Sequence, residues 1–121
     1  MGLYDNVRCR YRLPDPEAQD LEFQTKSTPA PYLDNYEITE DGRLMHEAYD
    51  ERWEDAPDSP FGAVMHQDNH RWEPVDFPGQ LEIHGTREDP EGKVRWYSYL
   101  LWFKNGRIAD LQPGRNHGHF L

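Results

Sequence analysis

The stretch from Lys93 to Lys104 constrains this chain's fold more than any other. Large apolar side chains occupy both alternating sets of its positions. Tyr97, Tyr99, Leu101 and Phe103 form one set, and Val94, Trp96, Leu100 and Trp102 the other. A strand apolar on both sides belongs inside a sheet covered on both faces. Asn105-Gly106 follows at once and supplies the two positive φ angles of a type I′ turn. Arg107 to Leu111 is therefore expected to return as the second strand of a hairpin. Leu81-Glu82-Ile83-His84 is expected along the other side, with Gly85 to Gly92 as the polar turn between.

Elsewhere the period is again two. Val7, Cys9, Tyr11 and Leu13 alternate with Arg8, Arg10 and Arg12, which reads as a strand with one buried face and an arginine row on the other. Pro14-Asp15-Pro16 ends it. Leu21 to Thr25 is a second, short strand. Tyr36 to Tyr49 reads as a hairpin around Glu40-Asp41-Gly42, with Thr39 opposite Arg43, Ile38 opposite Leu44 and Tyr36 opposite His46. Asp50 to Pro60, acidic and carrying two prolines, reads as an exposed loop. Ala63 to Val75 is expected to turn back at Gln67-Asp68-Asn69, placing Val64 opposite Trp72 and His66 opposite His70. No useful window shows a 3.6-residue period free of Pro or Gly, and residues 44–54 are the best helical alternative. The expectation is a mainly β fold in one domain spanning 1–121. It would be an antiparallel β-sandwich or partly closed barrel of roughly six to nine hairpin-built strands, with at most one short helix. Residues 113–121 are expected as a flexible tail.

Composition bounds the function. Hydrophobic residues make up only 36% and mean hydropathy is -1.05, which raises the question of disorder. Four Trp, seven Tyr and five Phe answer it, because each buries a large area. The formal net charge is -10. Residues 14–60 hold fourteen Asp/Glu against Lys26, Arg43 and Arg52, a net of -11, while the first thirteen residues are net positive. That balance argues against direct contact with nucleic acid or an anionic membrane and fits a basic protein partner. Cys9 is the only cysteine, so neither an intrachain disulfide nor a Cys-rich zinc site is expected. On the apolar face of the first strand, it reads as a buried structural thiol. No apolar run approaches the ~20 residues of a membrane span, and the first residues lack a signal-peptide layout, so the cytoplasm is the expected compartment.

The chain carries no Gly-rich phosphate loop, Ser elbow or His-Glu-x-x-His motif, and no enzymatic activity is expected from it. The histidines offer a metal reading. His66 and His70 across a tight turn, with His84 and the pair His117 and His119, would resemble a cupin-like site for one divalent ion. The arginine row reads most simply as pairing with acids of the 14–60 segment, and alternatively as an anion site. Trp53 lies in an acidic stretch, where it either anchors a loop on the core or is a hot spot for a basic partner.

Several stretches together resemble small hypothetical proteins of tailed phages and prophages: Gly2-Leu3-Tyr4-Asp5-Asn6-Val7-Arg8-Cys9, Leu13-Pro14-Asp15-Pro16, Phe23-Gln24-Thr25-Lys26, Tyr36 to Leu44, Val75-Asp76-Phe77-Pro78-Gly79 and Trp96-Tyr97-Ser98-Tyr99. Arg12 and Pro78 depart from that pattern. The resemblance implies a phage setting in a bacterial host cell and no assigned activity. The expected function is a non-enzymatic protein–protein interaction module without a cofactor, binding through Asp50, Glu51, Trp53, Glu54, Asp55 and Asp58. One form of it is an anti-CRISPR-like inhibitor whose carboxylates mimic DNA against a host nucleic-acid-binding defence complex. The alternatives are the cupin-like metal or small-molecule domain and a minor virion structural protein.

Overall fold

Alternation of buried and exposed positions along most of the chain makes strands, and the computed structural model, which describes residues 4–25, 34–60 and 62–121, contains eight of them. In chain order they are β1 (Asp5–Cys9), β2 (Glu22–Thr25), β3 (Asn35–Ile38), β4 (Leu44–Asp55), β5 (Ala63–Pro74), β6 (Gly79–Glu88), β7 (Val94–Lys104) and β8 (Arg107–Pro113), with one 3-10 turn at Pro16–Ala18. The fold is mainly β, as expected. All eight strands join one sheet in the order β5-β4-β3-β1-β2-β6-β7-β8. Every pairing is antiparallel except β1 with β3, which is parallel and sets Val7 beside Tyr36 and Cys9 beside Ile38. Hairpin reasoning did not anticipate that pair, because nothing local links its partners.

The sheet curls until the β3–β4 turn meets the β7–β8 hairpin, so the partly closed form is found and not a two-sheet sandwich. Ile108 N–H donates to Gly42 O at 2.9 Å, and Arg43 bridges to Arg107. Gly42 has φ 84 and is buried there, where a Cβ would lie 3.3 Å from both Ile108 and Tyr11. Inside the curl sit Val7, Cys9, Phe23, Ile38, Leu44, Leu81, Ile83, Tyr99 and Leu101, each at most 2% exposed. The β7 set Tyr97, Tyr99, Leu101 and Phe103 faces this core, while Trp96, Leu100 and Trp102 are only half covered on the outside. Burial pushes the Cys9 thiol up to about 12, and its Sγ donates to Tyr11 O, in keeping with a structural cysteine.

Two hairpins turn where expected, and the first has the expected register. Ile38 pairs with Leu44 and Tyr36 with His46, and Asn105 (φ 54) and Gly106 (φ 77) turn β7 into β8. Five expectations change. The first strand ends at Cys9, where the Gln19 amide takes over as backbone partner, donating to Cys9 O and Tyr11 O and accepting from Leu13 N–H. The Gly85–Gly92 turn is shorter, because β6 continues to Glu88. Asp50–Asp55 is the outer half of β4 and not a loop, and Ala63–Pro74 is one strand and not a hairpin. The left-handed backbone expected of a turn at Gln67-Asp68-Asn69 is present at Asn69 (φ 57), but it makes a bulge where the β4–β5 register shifts between Ala48 and Asp50. The chain reverses instead at 56–62, around Pro57, Pro60 and Gly62 (φ 72), where Ala56 N–H donates to Gly62 O. Residues 113–121, expected as a tail, are hydrogen bonded along β7 through Gly114, Gly118, His119 and Leu121.

Candidate functional site

The β4–β5 hairpin outruns the sheet that carries it. Beyond Leu44 none of its described residues is buried. Cross-strand neighbours share a face, so the register sorts its side chains into two surfaces. One holds Asp50, Arg52 and Glu54 with Asp68, His66 and Val64; the other holds Glu51, Trp53 and Asp55 with Gln67, Met65 and Ala63.

The acids of the first surface are paired within it. Arg52 reaches Asp68 at 2.8 Å and Glu54 at 3.8 Å, His66 meets Glu54 at 2.8 Å, and Arg71 spans Asp50 at 3.3 Å and Glu73 at 2.7 Å. The Asn69 side-chain amide, and after it the Arg71 charge, hold the Asp50 carboxyl below the usual carboxylate range. The second surface is unpaired. Trp53 is 66% exposed, and among the described residues Glu51 and Asp55 on either side of it have no ion-pair or hydrogen-bond partner. Trp53 therefore does not anchor a loop on the core. Asp58 sits at the exposed tip, also unpaired among the described residues. The six residues singled out from sequence thus share one hairpin but not one face. Glu51, Trp53 and Asp55 come together, Asp50 and Glu54 lie behind them, and Met65 and Gln67 complete the front. Those two were missed because the expected β5 turn would have placed them elsewhere.

Charge follows the same division. Residues 44–75 hold eight Asp/Glu against Arg52 and Arg71, a net of -6 out of the whole chain's -10. Of the arginine row, Arg10 pairs with Glu37 at 2.8 Å, an acid from the 14–60 segment, as its simpler reading expects.

The histidines do not converge. His66 and His70 lie on one strand, roughly 13 Å apart at 3.3 Å per residue, and not opposite one another. His84 stacks on Trp96 with ring centroids 4.8 Å apart, and His119 is exposed. Among the described residues no three His, Cys, Asp or Glu side chains are placed to hold a metal ion. This removes the geometric basis of the cupin-like alternative.

His117 has a different part. Its Nδ1 accepts Ser98 N–H at 3.1 Å, so the proton of the neutral ring sits on Nε2, 2.9 Å from Asp15 Oδ2. Asp15 Oδ2 also accepts the Tyr99 hydroxyl at 2.5 Å, and Glu17 accepts the Tyr97 hydroxyl at 3.2 Å. Burial first, then the Asp15 bond, pushes the Tyr99 phenol far above its ordinary value. Ser98, His117 and Asp15 have the residue types of a hydrolytic triad but the wrong atoms. The serine contributes its backbone N–H, and its buried Oγ has no hydrogen-bond partner among the described residues and lies against Gly114, where a Cβ would sit 2.2 Å away. With both its ring nitrogens committed, His117 is not placed to act as base toward Ser98. The cluster is a clasp that ties residues 114–121 and the 3-10 turn to β7. No family model, curated protein or solved structure matches this chain.

Proposed function

We propose that the protein is a non-enzymatic interaction module that meets a basic protein surface with the front of its β4–β5 hairpin. One observation carries this reading: an exposed Trp53 lies between two carboxylates that no other described residue pairs. Exposed tryptophans cost folded proteins solubility and are enriched as anchors at interfaces, and unpaired flanking charge sets the sign of the partner and its rate of approach. The paired rear surface favours a compact contact of Trp53, Glu51 and Asp55 over a DNA-like carboxylate array, because Arg52 and Arg71 already occupy Asp50, Glu54 and Asp68. The phage-like stretches of the sequence make a bacterial or phage protein the partner to look for.

The test is quantitative affinity capture from bacterial lysate, comparing the wild type with Trp53→Ala, with Glu51→Lys/Asp55→Lys, and with Arg52→Ala on the rear. A basic partner retained by the wild type and by Arg52→Ala, released by raised salt and lost from both front variants, is the expected result. Retention by the front variants would refute the reading.

A further inference from the structure

At the opposite end of the sheet, the core-facing sides of β6 and β7 run out past the core. Along β7 that side passes from Leu101 through Tyr99 and Tyr97 to Arg95; along β6 it passes from Leu81 through Ile83 and Gly85 to Arg87. Arg87 and Arg95 are direct cross-strand partners, and like charges directly opposite one another destabilise a sheet. Neither has an ion-pair partner among the described residues, although the chain has ten more acids than bases. Instead each is held by a backbone carbonyl: Arg87 Nη1 donates to Glu17 O at 2.8 Å and Arg95 Nε to Gly118 O at 3.0 Å.

Both arginines line a cleft of about 450 Å3, within the size range of small-molecule sites, and the mouth of a curled sheet is a common place for one. Tyr97 lines it too, positioned by its bond to Glu17, itself next to the Asp15–His117–Tyr99 clasp. The Phe120 ring closes one side, 5.1 Å from the Arg95 guanidinium. The lining is therefore set by backbone and clasp before any ligand arrives.

We infer that this cleft binds a small organic carboxylate with a flat apolar body, its carboxylate between Arg87 and Arg95 and its body along Phe120. Two guanidinium forks suit a planar carboxylate, and the ring supplies an apolar wall. Glu17, Glu88 and Asp89 also line the cleft, three carboxylates against two guanidiniums, and their charge opposes polyanions such as nucleic acid more strongly than a single carboxylate seated between the arginines. The inference does not depend on the hairpin reading, since the two sites share no residue.

The probe is benzoate, titrated into the full chain at neutral pH and followed by NMR of the arginine Nε–Hε groups and the Tyr97 amide. Benzylamine and inorganic phosphate serve as controls. Saturable shifts confined to Arg87, Arg95, Tyr97 and Phe120 are expected with benzoate alone. The double variant Arg87→Gln/Arg95→Gln should weaken binding about tenfold or more. Arg95→Lys, which keeps the charge but loses the fork, should weaken it as well while the spectrum stays dispersed, so that loss of binding is separated from loss of fold. No saturable benzoate shift, equal response to phosphate, or unchanged affinity in both variants would overturn the inference.

Discussion

The curled body and the projecting hairpin are built from the same secondary structure and held together by different physics. In the body, strands pair over a shared apolar interior: Phe23 and Tyr99 meet edge to face at 5.9 Å, and both are fully buried. Such packing contributes stability in proportion to the apolar area removed from water. In the hairpin beyond Leu44, the strands pair over no interior. Its cross-strand side-chain contacts include ion pairs in solvent, each worth little. A region that draws so little stability from its side chains leaves them free to be chosen for another purpose, and the unpaired front face around Trp53 is where that freedom shows.

The largest expected effect tests this division directly. Phe23→Ala should destabilise the protein by about 3–5 kcal/mol, by the cavity it opens in a core with no solvent access. Trp53→Ala, the loss of an even larger ring, should change stability by no more than about 0.5 kcal/mol. Chemical denaturation of both variants decides it. A Trp53→Ala cost approaching that of Phe23→Ala would mean that the hairpin front packs on something.

A second contrast uses the same pairing in both regions. His117 meets Asp15 at 2.9 Å under partial burial, and His66 meets Glu54 at 2.8 Å on the exposed arm. His117→Ala leaves Ser98 N–H without its acceptor inside the structure and should cost about 1–3 kcal/mol. His66→Ala should stay within about 0.5 kcal/mol. Thermal melts that rank the two variants the other way would dissolve the distinction between clasp and arm.

What the sequence revealed follows the same line between local and non-local causes. The β3–β4 hairpin was legible to the register and the β7–β8 hairpin to its turn, because both turns are local: Gly42, Asn105 and Gly106 have positive φ, whereas the register shift between Trp102 and Phe103 left no local sign. The parallel β1–β3 pair was not legible, since its partners meet only through the core that Val7, Cys9 and Ile38 build together. Asn69 misled for a physical reason, because a left-handed residue serves a turn and a bulge equally well. That one position moved His66, Met65 and Gln67 to the wrong places and hid the composition of the front face. Trp53 and its acids were visible as residues, but alternation alone does not say whether a strand has anything beneath it. The pairing of Arg87 with Arg95 was missed because Gly85–Gly92, which holds Arg87, read as a turn. Extending the Leu81, Ile83, Gly85 alternation by one step would have put Arg87 on the core-facing side.

The smallest effect concerns charge on the arm itself, where stability is too small to weigh but protonation can be followed residue by residue. Asp50 is exposed, and its carboxyl titrates below the ordinary 3.8 because Asn69 donates to it and Arg71 stands beside it. A depressed folded value means that the carboxylate form supports the hairpin above about pH 4 and that the support is lost as pH falls through the folded value. Carbon-detected NMR titration should therefore place the Asp50 midpoint below the ordinary 3.8. Asn69→Gly, which keeps the left-handed backbone and removes the amide, should raise it toward the ordinary value. Protection from hydrogen exchange in the outer hairpin, corrected for the intrinsic pH dependence of exchange, should fall below that midpoint while protection in β6 and β7 holds. If the body strands open in step with the arm, the two regions are one cooperative unit and the division drawn between them fails.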